Sequence, residues 1–306
     1  MFLFRKIKKR SSRPPNEVKE ALEKYLNDNT SELSRWLVRC WKDQQMVFTF
    51  KEIRTAIQNE TISKRTIEEW QQDYSKLVHD RIVPELIEAM KTGAANEAKH
   101  KGIDIGFKFD ADHWAVSDWL KSHTAELVTN STKAQKDAIQ SIIDLGIRKH
   151  MGADELARFI RPCVGLTKPQ ARATMRYYEK IKEELKKKHP RTSPEKIEKM
   201  ARDKQMKYVE KRLRERAVTI ARTEKAFAYE YGRFQHTKNL VEQGILPLQD
   251  KKWSATRSEN TCDKCSKLNG KIVGMDEEFV PGVLLPPLHP RCKCCIMYVD
   301  SKKEEA

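Results

Sequence analysis

The chain of 306 residues carries 60 Lys and Arg against 44 Asp and Glu, a net charge of +16, with 39% apolar residues. That length accommodates about two domains with a real core, and no apolar run approaches the roughly eighteen residues of a membrane span, so no membrane partner is expected. Met1-Phe2-Leu3-Phe4 precedes its basic residues and is too short for a signal core; the seven cysteines are therefore read as thiols made in a reducing compartment, where metal is favoured over disulfide.

Residues 1–15 read as a basic flexible arm closed by Pro14-Pro15, with Asn16 a helix cap. Residues 16–166 form an N-terminal helical region. Val18, Leu22, Leu26, Leu33 and Leu37 recur at helical spacing up to about Met46, and a second helical run covers Phe50 to Lys99 with a break at Pro84. Trp36, Trp41, Trp70, Trp114 and Trp119 lie in helical patterns and are expected in the core. Gly102 to Asp110 reads as a loop with a short extended piece. Asp110, Asp112 and His113 are explained by a cap for the next helix better than by a metal. Helices are expected over Ala115 to Asn130, Lys133 to Lys149 and Asp154 to Pro162. Cys40 and Cys163 stand alone and are read as inert thiols.

Residues 167–243 form a basic helical hairpin and a long helix. Thr167-Lys168-Pro169-Gln170 is a capping box that starts a helix to about Lys188, and Ser193-Pro194-Glu195 starts the next. Residues 168–216 hold 18 basic and 8 acidic side chains, +10 of the net charge. Lys186, Lys187, Lys188, Arg191, Lys207, Lys211, Arg212 and Arg214 are the candidates for polyanion contact, against the plainer reading of a solvated helix face. On the long helix Glu224 interrupts an apolar stripe between Ile220 and Phe227. A carboxylate there needs a cation or backbone amides, and replacing it by Ala is expected to cost more than replacing Glu230. Arg222 and Glu224, at i and i+2, should find different partners. Together with Trp253 they are the candidate structural contacts, Arg222 and Glu224 joining the helix to the C-terminal module or to a partner protein.

Residues 244–306 are a cysteine-rich module. Lys251 to Thr256, Gly270 to Val273 and Ile296 to Val299 are strand-like, and Asn269-Gly270 is a tight-turn pair. Two or three strands bury too little core to stand without a staple. Cys262-Asp263-Lys264-Cys265 supplies one half of a staple and His289-Pro290-Arg291-Cys292-Lys293-Cys294-Cys295 the other. Thiolate and imidazole together suit tetrahedral zinc. The preferred set is Cys262, Cys265, His289 and Cys292, with Cys294 the alternative to His289. Four ligands close the site and leave no position for a reacting water. The fold class is mainly α with a small C-terminal α+β module: an elongated helical body and a zinc-stapled terminal module of two or three strands.

Arg222-Thr223-Glu224, Lys252-Trp253, Cys262 and Cys265, Leu268-Asn269-Gly270-Lys271, and Pro286-Pro287 followed by His289-Pro290, Cys292 and Cys294 together resemble the minor head proteins of tailed bacteriophages, the Mu F-like head morphogenesis family. The motifs cover about residues 216–300, and the basic stretch from Lys180 to Lys204 matches no family pattern. The resemblance implies a non-enzymatic structural protein of the virion. It would be made in the host cytoplasm, recruited into the procapsid through the portal protein, and would serve head assembly and DNA packaging or ejection in the capsid interior. Scaffold, major capsid protein and nonspecific duplex DNA are further candidate partners. The competing classes are a zinc-containing DNA-binding protein, which the near-neutral cysteine module disfavours, and a zinc enzyme, for which no H-E-x-x-H helix is present. Some relatives carry a toxin-like domain after the cysteines; here only about a dozen residues follow Cys294 and none is expected.

Overall fold

The computed structural model describes residues 16–103, 110, 113–255 and 261–301. The arm over 1–15, residues 104–109 of the loop after Gly102, Asp112 and Thr256 lie outside them. No helix of the described residues is long and apolar enough to cross a membrane.

Helix α1 (Glu17–Val47) starts where the Asn16 side chain accepts the Lys19 N–H, 3.2 Å. One stripe of it, Val18, Leu22, Leu26, Leu33, Leu37 and Trp41, is buried. Helix α2 (Phe50–Gln58) opens on a Thr49–Glu52 capping box, and α3 (Lys64–Leu77) opens on Ser63. A π-helical turn over Val78–Ile82 then leads into α4 (Val83–His100). The run expected from Phe50 to Lys99 is thus divided after Gln58. At Pro84 the chain stays helical, because the ring occupies the first turn of α4, just after the widened π turn.

Helix α5 (Trp114–Arg148) is continuous where two helices were expected. Ser131 and Thr132 resemble a stop signal, but both are buried and Thr132 Oγ1 donates to Val128 O within the helix, 2.9 Å. Helix α6 (Ala153–Ile160) follows, then α7 (Lys168–Lys188), opened by the Thr167–Gln170 capping box, and α8 (Pro194–Glu242), capped by Ser193. Trp41 and Trp70 are core residues, whereas Trp114 is 75% exposed, since it stands at the first position of α5 with little packed over it. Trp36 is half-buried under the Arg81 guanidinium at 4.3 Å.

The core is organised on α8, which packs against α1, α4 and α7. It meets α4 at two glycines: a Cβ on Gly232 would fall 2.1 Å from Met90 O, and one on Gly93 would fall 2.1 Å from Tyr229 O. Backbone therefore touches backbone at this crossing. Beside it lies a dry charge cluster. Arg233 donates to Glu97 Oε2 through Nε and Nη2 (2.9 and 2.6 Å) and to both oxygens of Glu230 through Nη1 (2.9 and 3.0 Å), and none of the three is more than 1% exposed. Glu230 was the residue set against Glu224 as the cheaper one to lose. Its place at the centre of this cluster reverses that ranking, because its loss strands a buried guanidinium.

The C-terminal segment forms an antiparallel sheet in the order β2-β1-β3, from β1 (Gln249–Ser254), β2 (Ile272–Gly274) and β3 (Cys295–Asp300). Lys251 pairs with Val273 on one side and Tyr298 on the other, and Ser254 pairs with Cys295. Between β1 and β2 lies a short helix, α9 (Asp263–Leu268). Asn269-Gly270 closes that helix and does not join two strands as a hairpin. Asn269 is its C-cap, and Gly270, at φ 86°, takes the left-handed position beyond it.

Candidate metal centre

Cys262 is the N-cap of α9, and its Sγ accepts the Cys265 N–H at 3.4 Å, so one helical turn aims both sulfurs the same way. The opposite half is a turn in which Cys292 N–H donates to His289 O (3.0 Å), with Arg291 at φ 60°. His289 Nε2 lies 3.2 Å from Cys262 Sγ and 3.2 Å from Cys265 Sγ, and Cys265 Sγ lies 3.6 Å from Cys292 Sγ. Two thiolates about 2.3 Å from one tetrahedral zinc are separated by about 3.8 Å, so these separations are close to the edges of such a polyhedron.

The donors fall into two overlapping groups, Cys262, Cys265 and His289, and Cys265, Cys292 and Cys294. Cys265 belongs to both. Cys265, Cys292 and Cys294 are buried, while Cys262 and His289 stand at the half-exposed side. Their proton affinities are already split. The hydrogen bond from the Cys294 thiol, aided by the Cys294 N–H, draws Cys292 down to about 5 and drives Cys294 up in return. Burial raises Cys265 to about 12, while the Cys265 N–H lowers Cys262. Such a set favours one thiolate and stores protons that a divalent ion would displace. Cys295, next in sequence, faces away from the cluster: it is fully buried in β3 and its thiol is pushed up to about 12 by burial. Cys163 and Cys40 are likewise raised to about 12 by burial.

Trp253 is fully buried in β1 and packs edge-on against Phe279, 5.0 Å between centroids. Two side chains were not singled out from the sequence. Lys251, also fully buried, donates to Glu277 O (2.9 Å) and Leu284 O (3.0 Å) between the rings of Phe234 and Phe279. Burial lowers its amine to about 8. Arg291, inside the 289–292 turn, reaches α8: its N–H donates to Thr223 Oγ1 (3.2 Å) and its Nε to Thr219 Oγ1 (2.7 Å). The threonines stand four apart on one helix face, and that spacing was the available signal.

Arg222 and Glu224 have different partners. Arg222 binds Glu23 and donates to Asn27 Oδ1 at 2.9 Å, both on α1. Glu224 is 9% exposed and meets His123 Nε2 of α5 at 2.6 Å, an imidazole that is a cation when protonated, where a cation or backbone amides were expected. The joint between α8 and the 289–292 turn is made by Thr219, Thr223 and Arg291, whereas Arg222 and Glu224 tie α8 to α1 and α5. Glu224 does line a cleft of about 680 Å³ whose other wall is the 282–290 segment, His289 included.

Lys186, Lys187 and Lys188 are exposed in the last turn of α7, Arg191 in the connection, and Lys207, Lys211 and Arg214 along α8. Arg212 is half-buried, donating to Glu215 and to Tyr208 OH, each at 2.8 Å.

Residues 176–297 match the family model described as Phage Mu protein F like protein. The match begins inside α7 and spans Lys180 to Lys204, the stretch left without a family counterpart above. No curated protein and no solved structure matches the chain.

Proposed function

From the match of residues 176–297 to the family model described as Phage Mu protein F like protein, we propose that the chain is a structural head-morphogenesis protein whose C-terminal module is held by one zinc ion. The observation that carries the reading is the meeting of two soft-ligand groups, 24 residues apart from Cys265 to His289, inside the family-matched segment. Cys262, Cys265, His289, Cys292 and Cys294 provide more donors than a four-coordinate structural site needs, and such a closed site has no place for catalysis. Bound zinc supplies folding free energy, on the order of 10 kcal/mol for sites of this class, to a sheet too small to form alone. The protein enters the procapsid through the portal, acts in the capsid interior in assembly and in DNA packaging or ejection, and offers the exposed lysines of the α7–α8 hairpin to duplex phosphates without sequence preference.

Two measurements test this. Metal analysis should find about one zinc per chain, lost on denaturation with a chelator, and procapsids assembled without packaged DNA should retain the chain together with portal. Absence of zinc from protein purified without chelators removes the staple. Procapsids that assemble normally and exclude the chain remove the head function, independently of the metal.

A further inference from the structure

Where α1 passes into α2, three large apolar side chains stand in water together: Met46 is 74% exposed, Val47 67% and Phe50 46%. Beside them, between the second half of α1 and the wall made by α3 and the π turn, runs a groove of about 370 Å³ that Trp36 and Val47 help to line. Its charges are balanced, Arg39, Lys76 and Arg81 against Asp43, Asp73 and Asp80, on a chain whose net charge is +16. The π turn, a geometry that recurs at functional sites, is what brings Asp80 and Arg81 to this wall. Arg39 and Asp43 are exposed, and neither makes a hydrogen bond or ion pair among the described residues. Exposed apolar surface rimmed by charge marks a contact with another macromolecule.

Trp36, Arg39, Asp43 and Met46 follow one another on α1 at spacings of three, four and three residues, so they form one ridge along the helix. We propose that this ridge is the contact between two copies of the chain, packed α1 against α1 in antiparallel order about a two-fold axis at the level of residue 41. The order of the ridge, apolar, basic, acidic, apolar, argues for a second copy as the occupant. Turned about an axis midway between Arg39 and Asp43, it sets Arg39 opposite Asp43 of the second copy and Trp36 opposite Met46 of the second copy, each pair twice. Both members of each ion pair find a partner that the single chain does not supply, and a thioether against an indole is a favourable contact. A parallel arrangement in register would instead set arginine beside arginine, and a partner of one charge sign would meet three like charges in the groove. Positive surface such as Lys186, Lys187 and Lys188 repels a second copy, whereas the balanced ridge does not.

The test is sedimentation equilibrium of the full chain over about 1–100 μM, the range in which small, transient interfaces associate. The mass should rise from one chain toward two. Arg39→Asp and Asp43→Arg should each weaken the association about tenfold or more, because each sets like charges opposite one another at two places in the dimer. The double reversal, Arg39→Asp with Asp43→Arg, exchanges the signs of both pairs and should restore it. All three variants change exposed side chains, and circular dichroism confirms that each is folded before its mass is compared. A wild-type chain that stays monomeric throughout the range overturns the proposal, as it would if a different protein were the one that covers the ridge. A dimer that neither single variant weakens also overturns it, and a double reversal no better than the single variants overturns the antiparallel order.

Discussion

Arg233 donates to Glu97 and Glu230 where neither acid can exchange its partner for water, so removing one acid leaves a guanidinium half-paired in the core. Glu230→Ala should therefore lower unfolding free energy by about 3–5 kcal/mol. Glu224→Ala, which frees an imidazole at the edge of an open cleft, should cost about 1–3 kcal/mol. Urea denaturation of the two variants checks the order. Lys251 gives a dependence on pH. Its amine titrates near 8 in the fold and near 10.5 when unfolded, so between those values the unfolded chain holds the proton and stability rises with pH. The gain is at most about 3 kcal/mol, and Lys251→Met should lack it when urea midpoints are compared at pH 7.5 and 10. Glu224 was legible in the sequence because it interrupts an apolar stripe of its own helix. Lys251 and Arg233 were not, since a charged side chain is read as exposed until its distant partners are known, and Glu97 lies 136 residues from Arg233.

Among elements the same division holds. The starts of α7 and α8 were readable because Thr167 to Gln170 and Ser193 to Glu195 act through neighbouring residues. The continuity of α5 was not, because burial of Ser131 and Thr132 against other helices overrides their local preference for a break. Nor was the α4–α8 crossing, which depends on two glycines meeting the opposite backbone. Gly232 is helical and needs no special dihedral angles; what it provides is the absence of a methyl group. Gly232→Ala would gain about 1 kcal/mol of helix propensity in isolation, but its Cβ would meet Met90 O at 2.1 Å and force the helices apart. The expected net result is a loss of about 2 kcal/mol or more, with helical content retained by circular dichroism. Gly152→Ala, where an added Cβ meets nothing within 4 Å, is the steric control; Gly152 is the N-cap of α6, so its loss should be confined to the cap preference, about 0.5–1 kcal/mol.

At the scale of the whole molecule, the two halves of the Cys/His cluster were legible because each is compact in sequence, but the sheet beside them is bonded to the helical body at several points. Ile296 N–H donates to Glu230, Arg291 to Thr219 and Thr223, Lys101 Nζ to Gln249 Oε1 (3.0 Å), and Asn16 Nδ2 to Ser254 Oγ (3.1 Å). If the cluster holds zinc as proposed, metal removal must then act beyond the cluster itself. Without an ion the thiolates near Cys292 lose their counter-charge, the 289–295 turn is released, and Arg291 and Ile296 leave acceptors on α8 unpaired. Glu230 loses an amide donor in a dry site, so the central helix is weakened through its own core. Hydrogen exchange should show this in two stages. In the metal-loaded protein, amides of β1, β3 and the middle of α8 should exchange with similar free energies, because the contacts couple them into one cooperative unit. After chelation the strand amides should exchange first and fastest, and the α8 amides around Glu230 and Arg233 should lose protection more than those near Ser193, which no contact joins to the sheet among the described residues. A uniform loss along α8, or none, would mean that the sheet is merely appended to the helix.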